Sequence, residues 1–275
     1  MHHQIVTEYW SKPLAEWAAW MRTAKRAPGT IYQHTYRVGR LAERHPRRSP
    51  WTITLDDLVE HLNASEVAPS TQRAARTSIR SFYSWAVAVG RLERSPAALL
   101  PPVRVERGRP RPAPDEVTTI ARFHRDRRIP LMVELGYRAG LRCCEICRVH
   151  ADDVERTIDG YALRVLGKGR KLRVVPIESD LAASVLERAE GGWCFPGRID
   201  GHLSASYVSK LISTALPERV TAHQLRHRFG TRAYQLGGKD IRAVQELLGH
   251  ASIATTQVYT LPADDAVRRA ALAAA

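Results

Sequence analysis

Residues 101–114 read PPVRVERGRPRPAP, with five prolines in fourteen positions. Each proline fixes its own φ, lacks an N–H donor and pushes the residue before it into an extended conformation. Neither a helix nor an internal strand can run through such a segment. The segment reads as an interdomain linker, and 275 residues suffice for two domains at ~100–200 residues each. The expected division is a helical domain at 1–100, a linker at 101–114 and a second domain at 115–275. The arginines among the prolines suit a strap that touches phosphate as well as they suit a solvated linker.

The first domain shows the three- and four-residue steps of helices that share a core. Within 11–25, Leu14, Trp17 and Met21 lie on one face, and Pro28-Gly29 breaks the pattern. A second helix from Thr30 offers Ile31, Val38 and Leu41. Thr54 and Asp57 have the spacing of a capping box ahead of Leu55, Leu58 and Leu62. Ser70 is expected to cap a longer helix in which Ala75, Ile79, Phe82, Trp85 and Val89 recur. Gly90 is suited to end it, since glycine accepts the left-handed conformation. Four packed helices are the expectation.

The second domain is mixed. An apolar stretch with Leu131, Val133, Leu135 and Leu141 leads into Arg142. The period then shortens to two: IDGYALRVLGKGRKLRVVPI at 158–177 holds an Asp159-Gly160 turn, alternating runs and a second turn at Gly167-Lys168-Gly169. Helices are expected again at 179–190, 204–215, 222–236 and 239–248. Ser252 can cap a short helix carrying Tyr259, and the alanine-rich end AVRRAALAAA reads as a helical tail. The expected class is mainly α with a small antiparallel β-sheet.

Charge narrows the partner. The formal net charge is +14; residues 1–107 hold 16 basic and 9 acidic side chains and the remainder 26 and 19, so each half carries +7. Two basic lobes suit a clamp that neutralises phosphates on both sides of a DNA duplex. An arginine-rich, well-solvated surface is the plainer alternative. No apolar run reaches the ~18–20 residues that span a bilayer. The start, MHHQIVTEYW, lacks a signal-peptide apolar stretch, so the expected setting is the bacterial cytoplasm or nucleoid, with no membrane partner. Cys143, Cys144, Cys147 and Cys194 read as reduced, structural thiols: Cys144-x-x-Cys147 has no second close pair to complete a zinc site, and the trio sits where a helix must pack.

Several segments carry polar side chains suited to phosphodiester chemistry. They are GLRCCEI at 140–146, GKGRK at 167–171, HQLRHRF at 223–229 and HASIATTQVY at 250–259. Arginines and a lysine match phosphate charge, imidazoles move protons or donate hydrogen bonds, and a phenol supplies a nucleophile. Only six lysines occur, and Lys168 and Lys171 share one hairpin turn whose glycines allow close approach to a phosphate. His223 and Arg226, three apart at a helix start, share a face. Glu145 can hold the Arg142 guanidinium. Taken singly, each has a bland reading: a surface turn, an N-capped helix, a terminal ion pair, a polar cap at His250 and a half-buried aromatic at Tyr259.

Together, in this order, these segments resemble the tyrosine recombinase family, the phage-integrase or Xer-like site-specific recombinases. The resemblance covers almost the whole chain. It implies a helical SAM-like core-binding domain that grips DNA, followed by a mixed α/β catalytic domain. By this similarity Arg142 and Arg226 match the two catalytic arginines, Lys168 the hairpin lysine, His223 and His250 the two histidines and Tyr259 the nucleophile. Glu145 matches the acidic support of the first arginine and His227 the second histidine of HxLRH. Cys144 stands where many relatives have serine, which bears on a helix cap and leaves the chemistry intact.

The resemblance implies that His223 takes the Tyr259 proton, the arginines and His250 hold the non-bridging oxygens, and Lys168 protonates the departing 5′ hydroxyl. A 3′-phosphotyrosyl ester results, which reseals without ATP, metal or other cofactor. It also implies a homotetramer on two double-stranded DNA core sites, with an accessory DNA-bending or excision factor as a further partner. The helical pattern starts near residue 7, leaving no room ahead of it for an arm-binding domain. That favours a compact integrase or a Xer-type dimer resolvase, with integration or excision of a phage or mobile element preferred. The rivals are a type IB topoisomerase, a metal-dependent nuclease and a catalytically inactive DNA-binding homologue.

Overall fold

The computed structural model describes residues 8–64, 67–105, 111–167 and 171–249. The chain divides into two compact units, Met1–Arg107 and Gly108–Ala275.

In the first unit, α1 (Glu8–Thr23), α2 (Pro28–Arg44), α3 (Leu55–Asn63) and α4 (Pro69–Ala88) pack around Trp10, Trp17, Leu41, Leu58, Ile79, Phe82 and Tyr83. Aromatic side chains dominate this core. Phe82 stands at its centre, with Trp17 edge-on at 5.2 Å and Trp51 stacked at 5.9 Å between ring centroids. The capping box at α3 forms as its spacing predicts: Thr54 Oγ1 accepts from the Asp57 N–H, and Asp57 accepts from the Thr54 N–H at 2.8 Å. Two details differ from expectation. The N-cap of α4 is Ala68 instead of Ser70, because Pro69 takes the first helical position, where its fixed φ fits and its missing N–H costs nothing. Val89 is the C-cap and is exposed, so it lies outside the core; Gly90 follows with φ +73°.

The second unit opens with α5 (Val117–Arg122) and α6 (Arg128–Arg138), and α6 runs into the one-turn α7 (Cys143–Ile146). A meander follows, β1 (Val154–Thr157), β2 (Gly160–Leu166) and β3 (Leu172–Ile177), antiparallel in the order β1-β2-β3. Leu166 pairs with Leu172, and the Gly167 N–H donates to the Lys171 carbonyl at 2.8 Å, extending the β2–β3 pairing by one bond. Then come α8 (Ser179–Ala189), a short extended segment at Pro196–Ile199, α9 (Ala205–Ala215), α10 (Ala222–Leu236) and α11 (Ile241–Leu248). Helix α6 is buried on most of its surface, with Met132, Val133 and Leu135 at zero exposure, and it packs against α10. The mainly α class with a small antiparallel sheet holds.

Ala113, within the stretch read as linker, is buried in the second core, and its N–H donates to the Gln224 carbonyl at 3.0 Å. All four cysteines are free thiols: Cys147 and Cys194 are buried and Cys143 half-buried. Cys144 is exposed, against the expectation that the whole trio packs, because α7 is a single turn that buries only one side. Among the described residues no group of His, Cys, Asp or Glu could hold a metal ion, and no helix is long and apolar enough to cross a membrane.

Candidate active site

The elements that carry the site begin and end at breaks that the local sequence dictates. Gly140 has φ +64°, a conformation glycine adopts without strain, and it turns the chain from α6 into α7 with Arg142 at the N-cap. Thr221 caps α10 in a reciprocal box with Gln224, so His223 and Arg226 fall in the first turns on one face. Asp240 caps the start of α11 and Gly249, at φ +58°, ends it.

At the centre lies Glu145, 3% exposed. Its Oε1 accepts from Arg142 Nη1 at 2.8 Å and from Arg173 Nη1 at 2.8 Å; its Oε2 accepts from the Arg142 backbone N–H at 2.8 Å and from Arg173 Nη2 at 2.8 Å. Arg226 Nη1 stands 3.7 Å from Oε2. Burial alone would push this carboxyl up. The bonds from Arg173 and the Arg142 backbone, with the charges of both arginines, prevail and hold it down at about 2.

The second organising element is the C-terminus of α11. The last carbonyls of a helix have no partner within it and carry the negative end of its dipole. Here three successive carbonyls face the three arginines. Leu247 accepts from Arg173 Nε at 2.8 Å, Leu248 from Arg226 Nη2, and Gly249 from Arg142 Nη2 at a long 3.5 Å. Arg226 also donates through Nη1 to the Gly140 carbonyl at 2.5 Å. The two predicted arginines differ in access: the Arg142 side chain is 31% exposed, that of Arg226 2%. Arg142 therefore presents donors at the surface, and Arg226 supplies positive field from beneath.

His223 and His227 face each other on α10, with Nε2 atoms 2.8 Å apart and rings edge to face. One nitrogen must donate and the other accept, so at least one ring is neutral. Partial burial and then the charges of Arg226 and Arg142 lower the His223 pKa. Burial, the neighbouring His223 and Arg226 bring His227 down to about 4. A neutral imidazole among guanidinium groups is a competent proton acceptor near pH 7.

The structure thus brings together Arg142, Glu145, His223, Arg226 and His227. Lys168, His250, Tyr259, the helix expected from Ser252 and the alanine-rich tail lie outside the described residues. Sequence reasoning missed Arg173. The signal was present: with Val175 and Ile177, Arg173 occupies one face of a strand whose alternate positions point inward, and a buried guanidinium there requires a carboxylate partner.

Residues 113–265 match the phage integrase family. The tyrosine recombinase XerC of Xylella fastidiosa (strain M23) is 36% identical over 209 residues, covering 70% of this chain and 70% of that protein. The chain belongs to the phage integrase family. The XerC proteins of Xanthomonas campestris pv. campestris (strain B100) and Myxococcus xanthus are each 35% identical, over 210 and 230 residues. The first match covers 70% of this chain and 64% of its relative, the second 72% and 73%. The chain therefore spans just under two thirds of the Xanthomonas relative. Among solved structures, a lambda integrase dimer bound to a COC′ core site superposes with a TM-score of 0.73 at 19% identity, over 90% of this chain and 76% of that one. The post-cleavage complex of the XerH recombinase with palindromic difH substrate gives 0.68 at 21% identity, over 88% and 78%. At these identities the likeness is one of fold, that of a phage integrase family member.

Proposed function

We propose that this chain is a site-specific DNA recombinase that cleaves and rejoins strands through a 3′-phosphotyrosyl intermediate. The observation that carries the reading is the grouping at Glu145: among the described residues three guanidinium groups converge on one carboxylate, and the most exposed of them, Arg142, offers donors to a phosphodiester.

In this reading the Tyr259 oxygen attacks phosphorus and passes its proton to His223, which burial and then the surrounding cations keep neutral. Arg142 donates to a non-bridging oxygen as charge builds there, Arg226 stabilises that charge from below, and His250 adds a further bond. Lys168 gives a proton to the departing 5′ oxygen. The P–O bond to tyrosine replaces the one broken, so resealing by the reverse attack conserves the ester. Losing one such preorganised donor costs ~3 kcal/mol in the barrier. The helical unit grips the duplex, and four copies act on two sites.

Between the biological roles, relatives named XerC favour a Xer-type resolvase over the integration or excision of a mobile element. The enzymatic reading is tested with duplexes selected by the protein from a random pool. Two copies of the selected site are placed on one supercoiled plasmid. Recombinant circles or an inverted segment are the expected products. Relaxation of any plasmid without recombinants marks a topoisomerase, and cleavage that requires added magnesium marks a nuclease.

A further inference from the structure

Arg173 takes no part in the proposed reaction steps, yet it is held by three side-chain hydrogen bonds within the cluster. Its side chain is 7% exposed. It forks onto both oxygens of Glu145 at 2.8 Å each and donates Nε to the Leu247 carbonyl at 2.8 Å. It also fills the space between two glycines: a Cβ at Gly249 would stand 3.1 Å from its Cδ, and one at Gly167 3.4 Å from its Nη1. The strand β3, the helix α7 and the end of α11 therefore meet on one guanidinium.

The acceptor count shows what this engagement does. An ionised carboxylate has about four acceptor positions. On Glu145 these are taken by two N–H groups of Arg173, the backbone N–H of Arg142 and a single side-chain nitrogen, Nη1, of Arg142. Because Arg173 occupies one position on each oxygen, Arg142 cannot close its own fork on the carboxylate. Planar, bidentate pairing is the arrangement that arginine and carboxylate otherwise prefer.

We propose that Arg173 is a positioning residue. It saturates Glu145, so that the carboxylate orients Arg142 without capturing it, and donors of Arg142 stay turned outward for a phosphate. This rests on the reading of Arg142 as a phosphate-binding residue. Without Arg173, two acceptor positions and most of a negative charge fall open beside Arg142, whose fork swings onto Glu145 and leaves the phosphate.

The test exploits a consequence that a mere strut would not have: removing the carboxylate should repair the loss of Arg173. Covalent adduct formation is timed on a nicked duplex of the selected site, for the wild type, Arg173→Met and Arg173→Met with Glu145→Gln. The single variant is expected to slow by ~100-fold, the scale of losing one transition-state donor. The double variant should recover by ~10-fold. A double variant no faster than the single overturns the proposal, since a strut loses further bonds when its partner is changed. Should Arg173→Met fail to fold, Arg173→Lys carries the same comparison: one ammonium leaves an acceptor position open, so a smaller loss, again eased by Glu145→Gln, is expected. A second readout stands apart from catalysis. Inorganic phosphate should raise the melting temperature of the wild type, not of Arg173→Met, and again of the double variant. If the wild type forms no adduct, the recombinase reading falls while this phosphate comparison still decides the role of Arg173; equal phosphate shifts in all three proteins overturn it.

Discussion

Replacing Glu145 by glutamine should destabilise the second unit by about 3 kcal/mol at pH 7, and the deficit should vanish in acid. Two independent routes give this magnitude. Removing one partner of a buried ion pair costs roughly 3–5 kcal/mol, because the charges left behind are poorly solvated. The depression of the Glu145 carboxyl from its ordinary 4.5 to about 2 corresponds to roughly 3 kcal/mol at ~1.4 kcal/mol for each tenfold change. The amide also places an NH2 where a guanidinium already donates, so two donors collide. The pH dependence follows from the direction of the depression. A carboxylate with a lowered folded pKa contributes fully above about 4.5 and loses its contribution as pH falls through about 2. Asp57 and Asp126 titrate over a similar range in both proteins, so the difference between wild type and variant isolates Glu145. In thermal melts the variant should unfold roughly 6–12 °C lower at neutral pH, at ~2–4 °C per kcal/mol for a unit of this size. The gap should narrow steadily below pH 4.5. Equal melting temperatures at pH 7, or a gap that stays constant into acid, would refute the assignment of Glu145 as the charged hub.

Two further outcomes are expected. Gly140→Ala should cost roughly 2–5 kcal/mol, combining the left-handed backbone with an overpacked contact, since the new Cβ would stand 2.4 Å from Phe229 Cδ1; denaturant titration measures it, and a neutral substitution would mean the α6–α7 turn is not as described. Cleavage at limiting protein should rise with pH along a single titration whose midpoint lies below the ordinary histidine value of 6.5, because the base works only when neutral and burial, then Arg226 and Arg142, lower His223; a midpoint above 6.5 would assign the base to another group.

How much of this was legible in the sequence depends on where each residue finds its partner. The helices of the first unit follow from apolar spacing, which is local, and the capping boxes at Thr54 and Thr221 satisfy orphan N–H groups within four residues. Ser70 has the chemistry of an N-cap, but Pro69, whose fixed φ suits the first helical position, moves the cap of α4 to Ala68. Arg142 and Glu145 were paired correctly, three residues apart on one turn. The share taken by Arg173, 28 residues on, depends on how β3 folds back over α7, which spacing does not reveal. The same holds for the carbonyls of α11, which lie 74 residues from Arg173 and 107 from Arg142 and become acceptors only once the helix ends beside them. Local pattern supplied the candidate residues, and long-range packing decided which arginine is the more exposed.

The most direct test of the whole account is the covalent bond it requires. The wild type, Tyr259→Phe and Arg142→Ala are each incubated, in a chelator and without ATP, with a duplex of the selected site nicked so that cleavage releases a short fragment bearing the 5′ hydroxyl. A DNA–protein adduct should accumulate with the wild type, vanish with Tyr259→Phe and slow by ~100-fold or more with Arg142→Ala. Mass spectrometry should locate the nucleotide on the peptide containing Tyr259. An adduct that persists in Tyr259→Phe, or cleaved DNA that is never attached to protein, would contradict the account.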